Sequence, residues 1–277
     1  MKFSLMTYTM WPVMDSGKMN LMELLKFAKD IGFDAIEFSI TDFARDRFAN
    51  IKQALDTFGL KVSCINGTYS LAARSDANFK KAIEGAKNMV DVAVNYDCDR
   101  VMVVPAFIPD IEGFEDRDRA AARIAEGLKE VVKYAEGSNI IVMVEDFPNL
   151  LYPLSTISEM QFMLDSVPGL KLTLDNGNFL PGGDNLMEAY ARLKAFVENI
   201  HIKDWESSPN AEGILCWDGK YIRGGSHGKG LLEHRELLMT LKKDGYSKYL
   251  AFEYEGVLDH AEETKNGLKY LKNILEN

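Results

Sequence analysis

KDIGFDAIEFS, residues 29–39, decides the fold. An amphipathic run ends at Ile31, Gly32 stands where a left-handed residue closes a helix, and a short alternating apolar run follows. KDGYSKYLAF, residues 243–252, repeats the same grammar near the other end of the chain. Helix, glycine, short strand is the joint of an alternating α/β chain.

Working outward, the same alternation fills all 277 residues. The expected strands are KFSLMTY (2–8), DAIEFS (34–39), KVSCIN (61–66), RVMVVPA (100–106), IIVMVED (140–146), LKLTLDN (170–176), NIHIKD (199–204) and YLAFEYE (249–255). Helical periodicity predicts helices over 21–31, 43–58, 78–96, 117–135, 156–167, 185–198, 234–243 and 259–275. Asn20 with Glu23 and Thr156 with Glu159 have capping-box spacing, and Gly32, Gly59, Gly137 and Gly245 fall just past helix ends.

Eight such units in one chain predict an α/β fold, a (β/α)8 TIM barrel forming a single domain over 1–277. A doubly wound sheet would carry a Gly-rich phosphate turn after an early strand. The one glycine cluster, GGSHGKG at 224–230, fails the P-loop pattern because Arg223 and Gly230 stand where Gly and Ser/Thr are required.

The bulk numbers narrow the function. A formal charge of −10 argues against a sequence-independent grip on nucleic acid. Three scattered cysteines, Cys64, Cys98 and Cys216, read as reduced thiols of a cytoplasmic protein. The first fifteen residues read as a strand, not a signal peptide, and no apolar run is long enough for a membrane span.

In a parallel barrel the chemistry gathers at the carboxyl ends of the strands. Four successive strands end there with a metal-binding side chain: Glu145, Asp175, His201 and Glu253. Three carboxylates drawn together repel, and a divalent cation removes that conflict. Two glutamates, an aspartate and an imidazole form a mainly hard, oxygen-rich set that suits Mn²⁺, Mg²⁺ or Co²⁺ best, with Zn²⁺ compatible through the histidine.

VMVEDFPN, LTLDNGNF, HIKDW and FEYEG resemble the motifs of the xylose isomerase-like TIM barrels, the sugar phosphate isomerase/epimerase group. That resemblance implies one metal, commonly manganese, on Glu145, Asp175, His201 and Glu253, with Glu145 and Glu253 as the catalytic proton carriers. It implies a sugar isomerase or epimerase working through a metal-bound enediolate. An inosose dehydratase-like lyase on a keto-sugar or keto-inositol is the alternative; a non-catalytic binding protein or an endonuclease IV-like enzyme ranks lower. The partner expected is a small carbohydrate, with neither nucleic acid nor membrane, and relatives of this kind are often homo-oligomers.

Substrate contacts are expected from Lys203, on the inward face with His201, and from Glu37 near the end of strand two. A substrate contact is also expected from Asn178, which stands where many ketose epimerases carry a histidine three residues after the aspartate ligand. Trp11 and Met14 are expected in a loop after strand one, where Trp11 could wall a sugar face. The long segment 206–230 reads as a specificity loop offering Arg223 and His227, while Asp204 reads as an orienting or capping residue. His234 and His260, at helix starts, are expected on the surface.

Overall fold

The structure is a computed structural model describing residues 1–44, 50–105, 117–209 and 211–276. Its strands are β1 (Lys2–Met6), β2 (Ala35–Ser39), β3 (Lys61–Thr68), β4 (Arg100–Val104), β5 (Ile141–Glu145), β6 (Lys171–Asp175), β7 (Val197–Ile202), β8 (Trp205–Ser207), β9 (Ile214–Leu215), β10 (Tyr221–Gly224) and β11 (Tyr249–Phe252). Eight of them close a barrel in the order β1-β11-β7-β6-β5-β4-β3-β2, and the other three form a separate small sheet. The helices are α1 (Thr7–Asp15), α2 (Leu21–Ile31), α3 (Ile51–Phe58), α4 (Asp76–Asn95), α5 (Arg117–Ala135), α6 (Ile157–Ser166), α7 (Leu186–Leu193), α8 (His234–Lys243) and α9 (His260–Glu276). The expected TIM barrel is therefore the observed fold.

One compact unit comprises residues 1–63, 199–215 and 219–277. Here β1 pairs in parallel with β2 and β11, and β11 pairs with β7. The register sets His201 opposite Ala251 and Met6 opposite Glu37. Helix α2 starts on the predicted Asn20–Glu23 capping box and stops at Gly32, whose φ of +96° is left-handed.

The other unit comprises residues 64–198 and 216–218. Strands β3 to β6 pair in parallel in sequence order. Cys64, Met102 and Met143 form a buried cluster with Val104 and Ile141 packed on it. Alternation puts Glu145 on the same face of β5 as Ile141 and Met143, while the fully buried Leu172 and Leu174 flank Thr173 on β6. Helix α6 starts on the Thr156–Glu159 capping box.

Four expectations change. Residues 7–15 fold as α1 instead of a loop, because Thr7, Met10 and Met14 form a buried stripe at helical spacing despite Pro12. Segment 206–230 is no plain loop: β10 pairs antiparallel with both β8 and β9, reversing near Gly219, whose φ is +80°. The expected helix over 43–58 reduces to a 3-10 turn at Ile40–Ala44 and helix α3, with 45–49 outside the described residues. After α5 the left-handed position is Asn139 (φ +58°), not Gly137.

Candidate metal centre

Within the first unit, β7 presents Asn199 and His201 on one face. Glu37, with no exposed surface, receives both. Its Oε1 lies 3.0 Å from His201 Nε2 and its Oε2 accepts from Asn199 Nδ2 at 3.1 Å. A carboxylate on one ring nitrogen fixes the imidazole's tautomer and orientation and directs the other nitrogen to its task. That other nitrogen, Nδ1, is 3.7 Å from Glu253 Oε2.

Glu253 follows β11 directly and is 6 % exposed. Its Oε2 is 2.9 Å from the ammonium of Lys203, which is also 3.1 Å from Glu255 Oε2 and 5.0 Å from the Trp205 ring. One cation thus bridges two carboxylates.

In the second unit, Glu145 ends β5 and Asp175 ends β6. Asp175 Oδ1 accepts the Gly177 amide at 2.8 Å, so the turn after β6 holds the carboxylate. The Asp175 amide in turn donates to Asp146 Oδ1 at 2.9 Å. Burial, then the charges of Asp175 and Glu145, push the Asp146 carboxyl well above the usual carboxylate range. Asn178 Nδ2 donates to the Asp146 carbonyl at 2.8 Å, which commits this side chain to the turn.

One donor atom from each of Glu145, Asp175, His201 and Glu253 lies within 4.8 Å of the others, and all four residues are buried. Donors on opposite sides of a divalent ion at 2.1–2.4 Å are about 4.2–4.8 Å apart, so this donor set fits a single cation. Its chemistry fits as well, because three carboxylates and one imidazole in a buried space call for positive charge.

A family model described as xylose isomerase-like TIM barrel matches residues 25–274. The chain belongs to that family. Among curated relatives, the L-ribulose-5-phosphate 3-epimerase UlaE of Escherichia coli is 25% identical over 242 residues, covering 81% of this chain and 78% of its own. Two solved structures share the fold at 18% identity and TM-score 0.79. One is the probable 3-DHS dehydratase AsbF of Bacillus anthracis, with 99% of each chain covered. The other is the IolI protein solved with a zinc atom, with 100% of this chain and 98% of that chain covered.

The remaining sequence candidates lie elsewhere. Trp11 Nε1 donates to Asp42 Oδ1 at 2.9 Å, so its indole holds a buried carboxylate. Arg223 pairs with Glu206 at 2.7 Å across β8 and β10, with both side chains close to half exposed. His227 is buried, stacked on Phe252 at 4.1 Å, with Nε2 3.0 Å from the Ile202 carbonyl. Burial lowers its pKa to about 3, so this ring is neutral and serves packing.

His234 is not a surface residue, whereas His260 is half-buried at the surface. His234 is 1 % exposed, with Nε2 2.8 Å from the Lys203 carbonyl, and His260 Nδ1 is 2.7 Å from the Thr9 carbonyl. Each ring meets a backbone carbonyl that would otherwise need another donor.

Asp204 does cap, over a wider span than expected. Its carboxylate accepts the amides of Trp205, Gly228, Gly230 and Leu232 at 2.9–3.1 Å. A Cβ on Gly230 would stand 2.3 Å from Asp204 Oδ1, which explains that glycine. Sequence reasoning missed Glu255 and Asp146. Glu255 was within reach, since FEYEG sets it two residues from Glu253 and hence on the same side of an extended chain.

Proposed function

We propose that this protein is a divalent-metal-dependent sugar epimerase or isomerase that moves a proton next to a carbonyl. The observation that carries the reading is the buried group of Glu145, Asp175, His201 and Glu253, which pairs two glutamates with two further donors. Family membership and an epimerase relative support the reaction class. When bound by these four residues, the cation supplies Lewis-acid polarisation of a carbonyl and its neighbouring hydroxyl; Mn²⁺ is the first choice and Mg²⁺, Co²⁺ or Zn²⁺ are compatible.

The chain's own residues do the rest. One of Glu145 and Glu253 takes the carbon-bound proton. Return by the other glutamate to the opposite face inverts the centre, whereas return to the adjacent carbon interconverts aldose and ketose. Lys203 orients Glu253 and sets a positive charge beside the position where negative charge develops on substrate oxygen. Glu37 holds the His201 ring.

A dehydratase, the class of the neighbouring structure AsbF, shares the first step and then expels a β-hydroxyl. Turnover of ketoses and keto-inositols in D₂O separates the readings. Deuterium incorporation without water loss is the expected result. Loss of water with a new enone or enol absorbance makes the protein a lyase, and no exchange with any substrate removes the enzymatic reading. The chain is read as one barrel domain over 1–277. The three scattered, buried cysteines Cys64, Cys98 and Cys216 support a cytoplasmic setting, and a homo-oligomer is the state proposed for solution.

A further inference from the structure

Lys203 is buried, and its ammonium is shared. Glu253 Oε2 stands 2.9 Å from it, Glu255 Oε2 3.1 Å, and the Trp205 ring centroid 5.0 Å. Glu253 belongs to the four-donor group and Glu255 does not. A lysine ammonium is a compact point charge on a flexible stem, so its place is set by the charges around it. With Glu253 as its carboxylate it would close on that side chain as an ion pair, in competition with a divalent cation for the same oxygens. A second carboxylate draws it away.

The fold fixes that second carboxylate. The Tyr8 hydroxyl donates to Glu255 Oε1 at 3.4 Å, while Oε2 faces the ammonium, so the two oxygens have different partners. Burial, then the charges of Glu255 and Glu253, push the Tyr8 phenol above its ordinary range, and it keeps the proton it donates. In the small sheet Gly224 of β10 lies opposite Trp205 of β8. A Cβ at Gly224 would stand 2.3 Å from the Glu255 carbonyl carbon and 2.4 Å from its oxygen. The missing side chain lets the end of β10 lie against the backbone that carries Glu255. One ladder therefore places both the Trp205 ring and the Glu255 backbone around Lys203, and all of these residues belong to the first unit.

Resting on the metal-dependent chemistry proposed above, we infer that Glu255 is a positioning residue, which divides the Lys203 ammonium between two carboxylates and so leaves Glu253 available to the cation. The small sheet is then part of the metal centre's support.

The test is a double-mutant cycle read by Mn²⁺ titration, with circular dichroism to confirm that each variant is folded. Glu255→Gln, which keeps the side chain's shape, weakens Mn²⁺ binding by about tenfold, because Lys203 then pairs with Glu253 alone. In a Lys203→Met background the same substitution costs about threefold or less, a departure from additivity expected of residues in contact. Glu255→Asp, which keeps the charge, recovers at least part of the loss. Unchanged affinity in Glu255→Gln overturns the inference, as does an equal loss in both backgrounds or a Glu255→Asp variant as weak as Glu255→Gln. Metal binding is read without turnover, so failure of isotope exchange in D₂O strikes the reaction class alone.

Discussion

At the scale of single residues, the site depends on how each donor is held. His201 meets Glu37 through Nε2, and outer partners of this kind are worth roughly 10–100-fold in metal affinity. Glu37→Gln is therefore expected to weaken Mn²⁺ binding by about that factor while leaving the fold intact, as read by metal titration alongside circular dichroism. Unchanged affinity would remove Glu37 from the centre. Glu145→Gln and Glu253→Gln should each lower solvent exchange of the substrate proton by about 10²–10⁴-fold. If either variant keeps full exchange, that glutamate does not carry the proton.

His227 offers a prediction of another kind. Its folded pKa is about 3, against an ordinary value of 6.5. The unfolded chain binds a proton below pH 6.5 that the folded chain refuses until about pH 3, so stability falls as pH drops through this window. The slope contributed is roughly 1.4 kcal/mol per pH unit. Denaturant midpoints measured from pH 7 to 5 should fall less steeply in His227→Gln than in the parent chain, and identical slopes would show that another group governs the loss.

At the scale of elements, Asp204 organises the excursion between β7 and α8. One carboxylate satisfies four amides, three of them in residues 228–232. Asp204→Ala leaves those donors to find water or remain bare, at about 1–3 kcal/mol for each buried group left unsatisfied. A fall in melting temperature, with faster hydrogen exchange at Gly228, Gly230 and Leu232, is expected; wild-type exchange at all three amides would refute the capping role.

What the sequence revealed at this scale follows from pattern length. Strands of five residues or more, such as IVMVE and KVSCINGT, are long enough to stand out as short apolar runs, and capping boxes mark α2 and α6. β9 has two residues and β8 three, too few for a period to appear, so the small sheet was invisible. Helix α1 was hidden by Pro12 and by an N-terminus without a side-chain cap. The four donor candidates were legible because strand ends point to chemistry in a barrel. Their supports were not: the Glu37–His201 contact joins residues 164 apart, and only the closed register brings them together.

At the scale of the whole molecule, four donors drawn from β5, β6, β7 and the end of β11 make metal binding a folding term. A cation at 100 times its dissociation constant adds about 2.7 kcal/mol. Dialysis against a chelator is expected to lower the melting temperature, and added Mn²⁺ should restore it in the parent chain but not in Asp175→Asn. Equal melting with and without metal would contradict a centre built from these strands.

The amide cradle of Asp204 also bears on how this protein tolerates redesign. Because the carboxylate that gathers residues 228–232 stands three positions after His201, the excursion is moored at its root. Segments exchanged with another barrel need to carry Asp204, Gly228 and Gly230 as one cassette, whereas the reversal around Gly219, which has open space beside it, is the place to lengthen or tag the chain.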